Sequence, residues 1–339
     1  MNAIYCAVDL HSNNGYYGIV EKSGKRVFGK RLPNKLETVL DALEPFKERL
    51  ERVAVESTYN WYWLVDGLME NGYDVRLANP AAMDQYSGMK NTDDKTDAFF
   101  IADLMRLGIL PEGHVYPKDE RGLRDMLRRR TLFVRQRTAQ TLSLQNMLSR
   151  QSGKSFSMRN VQKMKPEEFL EILGGEDNMF TARQNIDTIR VLSEKIRNLE
   201  DYILSKTKLK PEFEKLTTIP GIGKILGLTI MYETGDIGRF KDAGNYTSYC
   251  RCVKAEAKSN NKKKGHNNRK NGNKHLSWAF VEAAQKMRQF CPEAQAFYDK
   301  KKRRKCAALA TKALASKISK AVYHILRDKE EFEVKKMFG

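Results

Sequence analysis

The sequence has no apolar stretch of membrane-spanning length and no cysteine pattern that would build a disulfide framework. Its five cysteines are an odd number, and Cys250 and Cys252 lack the second pair that a zinc site needs. We therefore expect structural cysteines in a reducing compartment. Asp9 interrupts the first apolar run, which argues against an N-terminal signal and favours a cytoplasmic protein with no membrane partner.

Two nucleotide-binding signatures are also missing. The turn after the first apolar run, residues 10–15, has no Gly-rich GxGxxG, which a doubly wound dinucleotide fold would want there. No P-loop sequence occurs either, which is consistent with a reaction that does not consume ATP.

Acidic residues are scarce overall, and their distribution is uneven. The chain of 339 residues carries 61 Lys and Arg against 42 Asp and Glu, a net charge of +19. Residues 1–120 hold 14 basic and 19 acidic side chains, whereas the remainder holds 47 and 23. The length allows two or three domains, and the basic remainder is expected to bind a polyanion such as nucleic acid.

The first 118 residues are predicted to form an α/β domain. A helical pattern at about 35–51 separates the third and fourth of its β-rich runs. The runs cover residues 4–10, 15–21, 26–32, 52–57 and 73–78. Two hairpin-like strands, a third strand, a helix and a fourth strand are the order of a ribonuclease-H-like domain.

Four acidic residues in this part indicate a reaction. Asp9 lies in one apolar strand, Glu56 ends another, and Asp94 and Asp97 stand three apart at the head of a helix. A carboxylate in an apolar strand is costly unless its charge is offset. Such a set suits Mg²⁺, or alternatively Mn²⁺, in phosphodiester chemistry. Asp93 is four residues from Asp97, so it could replace Asp94 as a ligand.

The middle of the chain, residues 119–210, is predicted to be helical. A basic helix covers residues 119–150, and a second long helix covers roughly 181–207, with apolar residues stepping by three and four. We expect the two to form an antiparallel hairpin that projects between two domains; an ordinary helical bundle is the alternative.

Residues 211–339 contain further patterns typical of nucleic-acid binding. The Pro-Gly-Ile-Gly turn at residues 220–223 suits a helix-hairpin-helix that clamps the DNA backbone, or a tight turn between two core helices. Residues 254–275 hold eight Lys and Arg and one acid, so we expect a flexible loop that orders on nucleic acid. The residues expected to contact nucleic acid are Arg128, Arg129, Arg130, Gly221, Gly223, Lys258, Lys262, Lys263, Lys264, Arg269, Lys270, Lys301, Arg303 and Arg304.

Three blocks of sequence, in a fixed order, carry a resemblance to a known family. The first comprises residues 7–11, 55–58 and 92–98, the second the Ile-Pro-Gly-Ile-Gly turn with residues 233–240, and the third residues 258–265 and 271–274. On these motifs the chain resembles the DEDD-type transposases of bacterial insertion sequences. These are RNA-guided recombinases that use a "bridge RNA", and the Piv DNA invertase is a relative.

The resemblance implies three domains and a nucleophilic serine. These are a RuvC-like DEDD domain at 1–118, a helical coiled-coil region at 119–210, and a C-terminal transposase domain at 211–339. By position the serine is Ser259, although Asn260 follows where the family usually has Gly. Ser248 and Ser277 are the neighbouring candidates and look structural. The implied catalytic set is Asp9, Glu56, Asp94, Asp97 and Ser259.

The resemblance also implies the reaction and its partners. The enzyme would cleave and rejoin donor and target DNA through a covalent phosphoserine, guided by a bridge RNA. It would work as a homo-oligomer, a dimer or tetramer, associated with the bacterial nucleoid. One alternative is a RuvC-type endonuclease, such as a junction resolvase, that activates water. Another is a non-catalytic nucleic-acid-binding protein, which would explain the charge but not the carboxylates in apolar strands.

Overall fold

The computed structural model describes residues 3–83, 86, 93–207, 211–253, 256–259, 262–266 and 271–339, with the backbone alone for 256–259 and 262–266. It divides into two compact units. The first is Met1–Lys118 with Lys254–Asn271, and the second is Asp119–Val253 with Gly272–Gly339. The expected three domains, with boundaries after residues 118 and 210, stay a prediction.

The first unit is built on one mixed sheet, so the expected α/β class is confirmed. Its six strands lie in the order β3-β2-β1-β4-β5-β6, with β1 parallel to β4, β4 parallel to β5, and the other neighbours antiparallel. The elements are β1 (Ile4–Leu10), β2 (Asn14–Glu21), β3 (Arg26–Pro33), α1 (Leu36–Leu43), β4 (Leu50–Glu56), α2 (Tyr62–Glu70), β5 (Val75–Ala78), α3 (Pro80–Met83), α4 (Asp94–Arg106) and β6 (Glu112–Gly113).

The helix predicted at 35–51 is shorter than expected. α1 ends at Leu43, a 3₁₀ helix covers Glu44–Arg49, and β4 already begins at Leu50. Pro45 lies at the start of the 3₁₀ helix. Proline has no N–H to donate, and its ring disfavours a continuing α-helix, so α1 ends before it.

The two faces of the sheet are buried under different helices. Alternate residues of β1, such as Cys6 and Val8, pack in the core that includes α1 and α2. Tyr5 and Ala7 face the opposite way, into the core that includes α4. Because side chains alternate along a strand, Asp9 continues the face of Ala7. The same alternation places Glu56 of β4 on this face.

A separate two-stranded hairpin completes the first unit. Strand β7 (Glu256–Ser259) runs antiparallel to β8 (Lys262–His266), with Ser259 opposite Lys262. The loop expected over residues 254–275 is therefore a β-hairpin over these strands. Backbone ladder hydrogen bonds can pair two polar strands without any apolar burial, which reasoning from side-chain composition alone did not anticipate.

The second unit is helical throughout its described elements. These are α5 (Lys118–Ser152), α6 (Met158–Lys163), α7 (Pro166–Leu173), α8 (Glu176–Lys206), α9 (Pro211–Thr217), α10 (Lys224–Thr234), α11 (Ala243–Tyr249), α12 (Lys274–Phe290), α13 (Pro292–Arg304), α14 (Ala307–Asp328) and α15 (Val334–Phe338). No helix of the described residues is both long and apolar enough to cross a bilayer.

The two long helices α5 and α8 run antiparallel. Arg130 near the start of α5 pairs with Glu200 near the end of α8, at 2.6 Å. Further along α5, Ser143 accepts a hydrogen bond from Asn185, which lies earlier in α8. The residue number therefore increases along one helix as it decreases along the other, which is the antiparallel pairing expected from the sequence.

The Pro-Gly-Ile-Gly turn packs directly on α12. Gly221 has a φ of +93°, and a Cβ there would lie 2.5 Å from the backbone nitrogen of Met287 and 2.7 Å from the carbonyl oxygen of Ala283. Both the dihedral and the close approach require glycine. Gly223 is the N-cap of α10, and a Cβ there would meet no atom of the described residues within 4 Å.

Candidate active site

A carboxylate–histidine cluster lies where β1 ends and α4 begins. The Nε2 atom of His11 lies 3.3 Å from Oδ2 of Asp9 and 3.3 Å from Oδ2 of Asp94. One ligand atom from each of the three residues lies within 4.8 Å of the other two. Asp9 is 5% exposed, whereas His11 and Asp94 are half-buried. The cluster is therefore open on one side.

The other two predicted carboxylates lie next to Asp9. Burial raises the pKa of the Asp9 carboxyl, a hydrogen bond with Glu56 and the nearby His11 lower it, and the charges of Asp97 and Asp94 raise it again. The net direction is upward. Glu56, Asp94 and Asp97 thus all act on the buried Asp9 carboxyl, because adjacent parallel strands end there and α4 begins nearby.

Asp93 and Asp94 do different things at the start of α4. The Asp93 side chain is the N-cap, with Oδ1 accepting a hydrogen bond from the Thr96 amide at 2.5 Å. That bond lowers the pKa of Asp93. The Asp94 carboxylate turns instead toward the cluster, where Arg31 donates to its Oδ2 at 2.6 Å and lowers its pKa. The structure therefore brings Asp94, and not Asp93, to His11.

His11 is the member of the cluster that the sequence analysis did not propose. Its carbonyl oxygen accepts hydrogen bonds from the side-chain amides of Asn34, at 3.0 Å, and Asn60, at 2.9 Å. Thr58 donates in turn to the Asn60 side-chain oxygen at 2.9 Å. The sequence did contain a signal for it, because a histidine two residues after an aspartate in a strand is expected to lie near that aspartate at the end of the same strand.

The donor set of this cluster fits a divalent cation. Carboxylate oxygens are the ligands that Mg²⁺ and Mn²⁺ take in proteins, and an imidazole nitrogen is compatible with Mn²⁺. The pKa of Asp9 is raised first by burial and then by the charges of Asp97 and Asp94, an effect that a bound cation would oppose. Asp9, Asp94 and His11 are the residues whose ligand atoms already converge.

Ser259 and the lysines around it lie on the hairpin. Ser259 ends β7, Lys258 pairs with Lys263 across the hairpin, and Lys262 and Lys264 belong to β8. The backbone of the hairpin belongs to the first unit, which also contains the four carboxylates. Arg269 and Lys270, also expected to contact nucleic acid, lie outside the described residues.

The other two serines lie in helices of the second unit. Ser277 of α12 accepts a hydrogen bond from the Lys312 ammonium at 2.8 Å. Ser248 is exposed on α11. Cys250 and Cys252, nearby in the sequence, are buried as free thiols.

The three consecutive arginines of α5 have three different environments. Arg128 donates through Nε to one oxygen of Glu233 at 2.5 Å and through Nη2 to the other at 2.9 Å. Arg130 pairs with Glu200 of α8, and Arg129 is exposed. Lys301, Arg303 and Arg304 form the exposed, basic last turn of α13. Their contacts with nucleic acid stay predictions.

Glu233 is the centre of a buried charged network that the sequence analysis did not propose. Its side chain is 1% exposed, and besides Arg128 it accepts hydrogen bonds from Arg124 and Asn273, at 3.2 and 2.8 Å. Burial raises the pKa of Glu233, but the hydrogen bond from Arg128 and the charges of Arg124 and Arg128 outweigh it and lower the pKa to about 2. Asn273 also caps α12, so the network links α5, α10 and α12 within the second unit.

Comparison with known protein families identifies the chain. A DEDD-type transposase model of the IS110 group, described as "Transposase", matches residues 6–151, and a second, the "Transposase IS116/IS110/IS902 family", matches residues 213–299. The four carboxylates lie in the first match and Ser259 in the second. No curated protein matched the chain. The chain therefore belongs to the IS110 family of DEDD transposases, enzymes that act on DNA in transposition.

Proposed function

We propose that the protein cleaves and rejoins DNA strands through a covalent phosphoserine at Ser259, supported by the carboxylate cluster around Asp9. The observation that carries this proposal is the convergence of Asp9 and Asp94 on His11 at the ends of adjacent elements. Glu56 and Asp97 act on the same buried carboxyl. Four separated acids gathered at one place, in a DNA transposase, favour phosphodiester chemistry there.

We also propose an identity for each of the three predicted domains. The strand order, with a parallel β1-β4-β5 set beside an antiparallel β1-β2-β3 set, supports a RuvC-like, ribonuclease-H-like domain at 1–118. The antiparallel pairing of α5 and α8 supports a coiled-coil region within 119–210. Residues 211–339 would be the transposase domain. The open N-cap at Gly223 supports a helix-hairpin-helix contact with a DNA phosphate, whereas packing on α12 accounts for Gly221.

Asp9, Glu56, Asp94 and Asp97 would hold the metal, for which we propose Mg²⁺, with Mn²⁺ as an alternative. A bound divalent cation supplies charge neutralisation for the scissile phosphate. Asp9 is well suited to hold it, because a charge attracts a buried carboxylate more strongly than one exposed to water. Arg31, already beside Asp94, adds positive charge at the edge of the cluster.

The covalent step balances without a high-energy cofactor. A bond forms between Ser259 Oγ and the phosphorus of the scissile phosphodiester, and the bond from phosphorus to one deoxyribose oxygen breaks. The serine proton ends on that leaving oxygen. Rejoining is the reverse: a deoxyribose hydroxyl attacks the phosphoserine and restores the serine hydroxyl. One phosphodiester is exchanged for another of similar energy, so no ATP is required.

Basic residues would hold the nucleic acids. Donor and target DNA would contact the exposed last turn of α13, Arg129 and the hairpin lysines through phosphate charge. By resemblance to the family, a bridge RNA would select the sequences. The protein would act as a homo-oligomer, dimer or tetramer, with a site shared between protomers, in the cytoplasm at the nucleoid.

A serine substitution tests the proposed mechanism. Ser259→Ala should remove both the covalent protein–DNA adduct and recombination, while metal and nucleic-acid binding remain at the wild-type level. The adduct is measured as DNA label that stays with the protein after denaturation. Ser248→Ala, at an exposed serine of α11, is the matched control and should leave the adduct unchanged. If Ser259→Ala still nicks DNA at the normal rate, water is the nucleophile and a resolvase-type reaction replaces this proposal.

A further inference from the structure

We propose that His11 is a direct metal ligand and that its nitrogen strengthens the binding of Mn²⁺ more than that of Mg²⁺. This inference rests on the metal site of the proposed function and adds a ligand to the four carboxylates. Three observations carry it: the spacing of the ligand atoms, the environment of Nε2, and the way the His11 backbone is held.

The spacing of the ligand atoms suits one shared cation. Two ligands at right angles around a cation, each about 2.1–2.3 Å away, are separated by about 3.0–3.3 Å. The His11 Nε2 atom lies 3.3 Å from an Asp9 oxygen and 3.3 Å from an Asp94 oxygen. Both separations therefore match neighbouring positions in a coordination sphere.

The environment of Nε2 also favours a ligand role. This nitrogen is shielded from solvent, and it forms no hydrogen bond of acceptable geometry with any described residue, although two carboxylate oxygens are near. Ring nitrogens that stabilise carboxylates point their N–H at one oxygen. Here the nitrogen lies between two oxygens instead, as ligand atoms do when they share a cation.

The backbone of His11 is held on three sides. Its carbonyl oxygen accepts hydrogen bonds from Asn34 and Asn60, and its amide donates to the Asn14 carbonyl oxygen at 2.8 Å. These contacts fix the turn that carries the imidazole, so little ordering remains for metal binding. Outer contacts that orient ligands are a common feature of metal sites.

A nitrogen ligand has a predictable effect on selectivity. Mg²⁺ prefers oxygen ligands and keeps several waters, whereas first-row transition metals accept imidazole. Loss of the imidazole should therefore weaken Mn²⁺ binding more than Mg²⁺ binding. If carboxylates alone held the metal, substitution of His11 would change the Mn²⁺ and Mg²⁺ affinities by similar factors.

The test measures metal binding by the full-length protein, independently of DNA cleavage. Mn²⁺ affinity is obtained from the electron paramagnetic resonance signal of free Mn²⁺, and Mg²⁺ affinity from competition. Loss of residues that merely orient metal ligands already weakens binding by about 10- to 100-fold. We therefore expect His11→Gln to weaken Mn²⁺ binding about tenfold or more and Mg²⁺ binding by less than about threefold. Equal loss of both, or loss of neither, overturns the proposal.

A matched control and a direct readout accompany this measurement. His324→Gln removes another histidine that lies beside a carboxylate, 2.8 Å from Asp328, in the second unit. It should change neither affinity. In the wild-type protein, pulsed electron paramagnetic resonance of bound Mn²⁺ should show a hyperfine coupling to a histidine nitrogen. Labelling histidine with ¹⁵N should change that coupling. Absence of that coupling contradicts the assignment even if His11→Gln does not fold.

A further variant separates this inference from the proposed function. Asp9→Asn should abolish binding of both metals. If it does and His11→Gln changes nothing, the histidine assignment alone is wrong. If Asp9→Asn leaves Mn²⁺ bound as in the wild type, the carboxylate site itself is wrong, and the inference about His11 falls with it.

Discussion

Asp9 shows how a single residue acquires a role from its neighbours. It is the last residue but one of a strand that is otherwise apolar, and its side chain is buried. A buried carboxylate is unfavourable unless it is paired or neutralised. Burial raises the pKa of Asp9, and so do the charges of Asp97 and Asp94, whereas the hydrogen bond with Glu56 and the nearby His11 lower it; the net direction is upward. Such an arrangement costs stability, which indicates that it is kept for function.

The neighbouring residues Asp93 and Asp94 provide a paired prediction at this scale. Asp93→Ala removes the N-cap of α4 and should lower the free energy of unfolding by about 1 kcal/mol, with metal affinity little changed. Asp94→Ala removes a cluster oxygen and should weaken Mn²⁺ binding by at least about tenfold, with a smaller effect on stability. Urea unfolding and metal titration of both variants check this. The reverse pattern would make Asp93 the ligand.

At the scale of elements, the buried hydrogen bonds to Glu233 connect three helices. Arg124 and Arg128 come from α5, Glu233 from α10, and Asn273 caps α12. Removing the shared acceptor leaves two guanidinium groups without their buried carboxylate. Breaking one side of such a pair typically costs about 3–5 kcal/mol.

Glu233 gives a prediction with a defined pH dependence. Its folded pKa of about 2 is below the ordinary value of 4.5, so its contribution to stability is complete above about pH 4.5 and is lost as the pH falls toward 2. The wild type should therefore be more stable than Glu233→Gln at pH 6, and the difference should shrink toward pH 2. Urea unfolding at several pH values measures it. A difference that does not change with pH would show that the glutamate charge is not responsible.

Two glycines of one turn give a second prediction for an element. Gly221→Ala places a methyl group against the α12 backbone at a positive φ, so we expect it to lower the free energy of unfolding by more than about 1 kcal/mol. Gly223→Ala meets open space, and the stability should change by less than about 1 kcal/mol. Thermal unfolding compares them. If Gly223→Ala weakens duplex DNA binding while stability holds, the helix-hairpin-helix proposal gains support; unchanged binding contradicts it.

At the scale of the whole molecule, acidic and basic side chains are distributed unevenly along the chain. Residues 1–120 contain the acids of the cluster and a small excess of negative charge, whereas the remainder has 47 basic and 23 acidic side chains. Under the proposed function, the basic side chains of the remainder would bind the phosphates of the nucleic acid. A cation bound as proposed would reduce the repulsion between the carboxylates of the cluster and a phosphate.

This distribution predicts a steep dependence of DNA affinity on salt. The logarithm of the association constant should fall linearly with the logarithm of salt concentration, because bound cations are released from the duplex. Replacing Lys301, Arg303 and Arg304 with Gln should reduce the magnitude of that slope by up to about 3. Fluorescence anisotropy with duplex DNA at several salt concentrations measures it. An unchanged slope would place α13 outside the DNA interface.

The sequence by itself determined the features that depend on local pattern. Short β-rich, apolar runs predicted the strands that carry Asp9 and Glu56. The apolar spacing of three and four, together with the basic and leucine-rich segment before it, predicted the long helices that pair through Arg130 and Glu200. The spacing of Asp94 and Asp97 predicted that both lie at the head of α4. These predictions succeed because hydrogen bonding and side-chain periodicity act over a few residues.

Only the tertiary structure decided which of these residues meet. His11 enters the cluster because Asn34 and Asn60, far from it in the sequence, hold its carbonyl oxygen. Asp94 turns toward Arg31 while Asp93 caps the helix, a choice that helical spacing left open. Glu233 finds Arg128, 105 positions away, through the packing of α5 against α10. Contacts of this kind follow from the assembled geometry of several elements, which no local pattern contains.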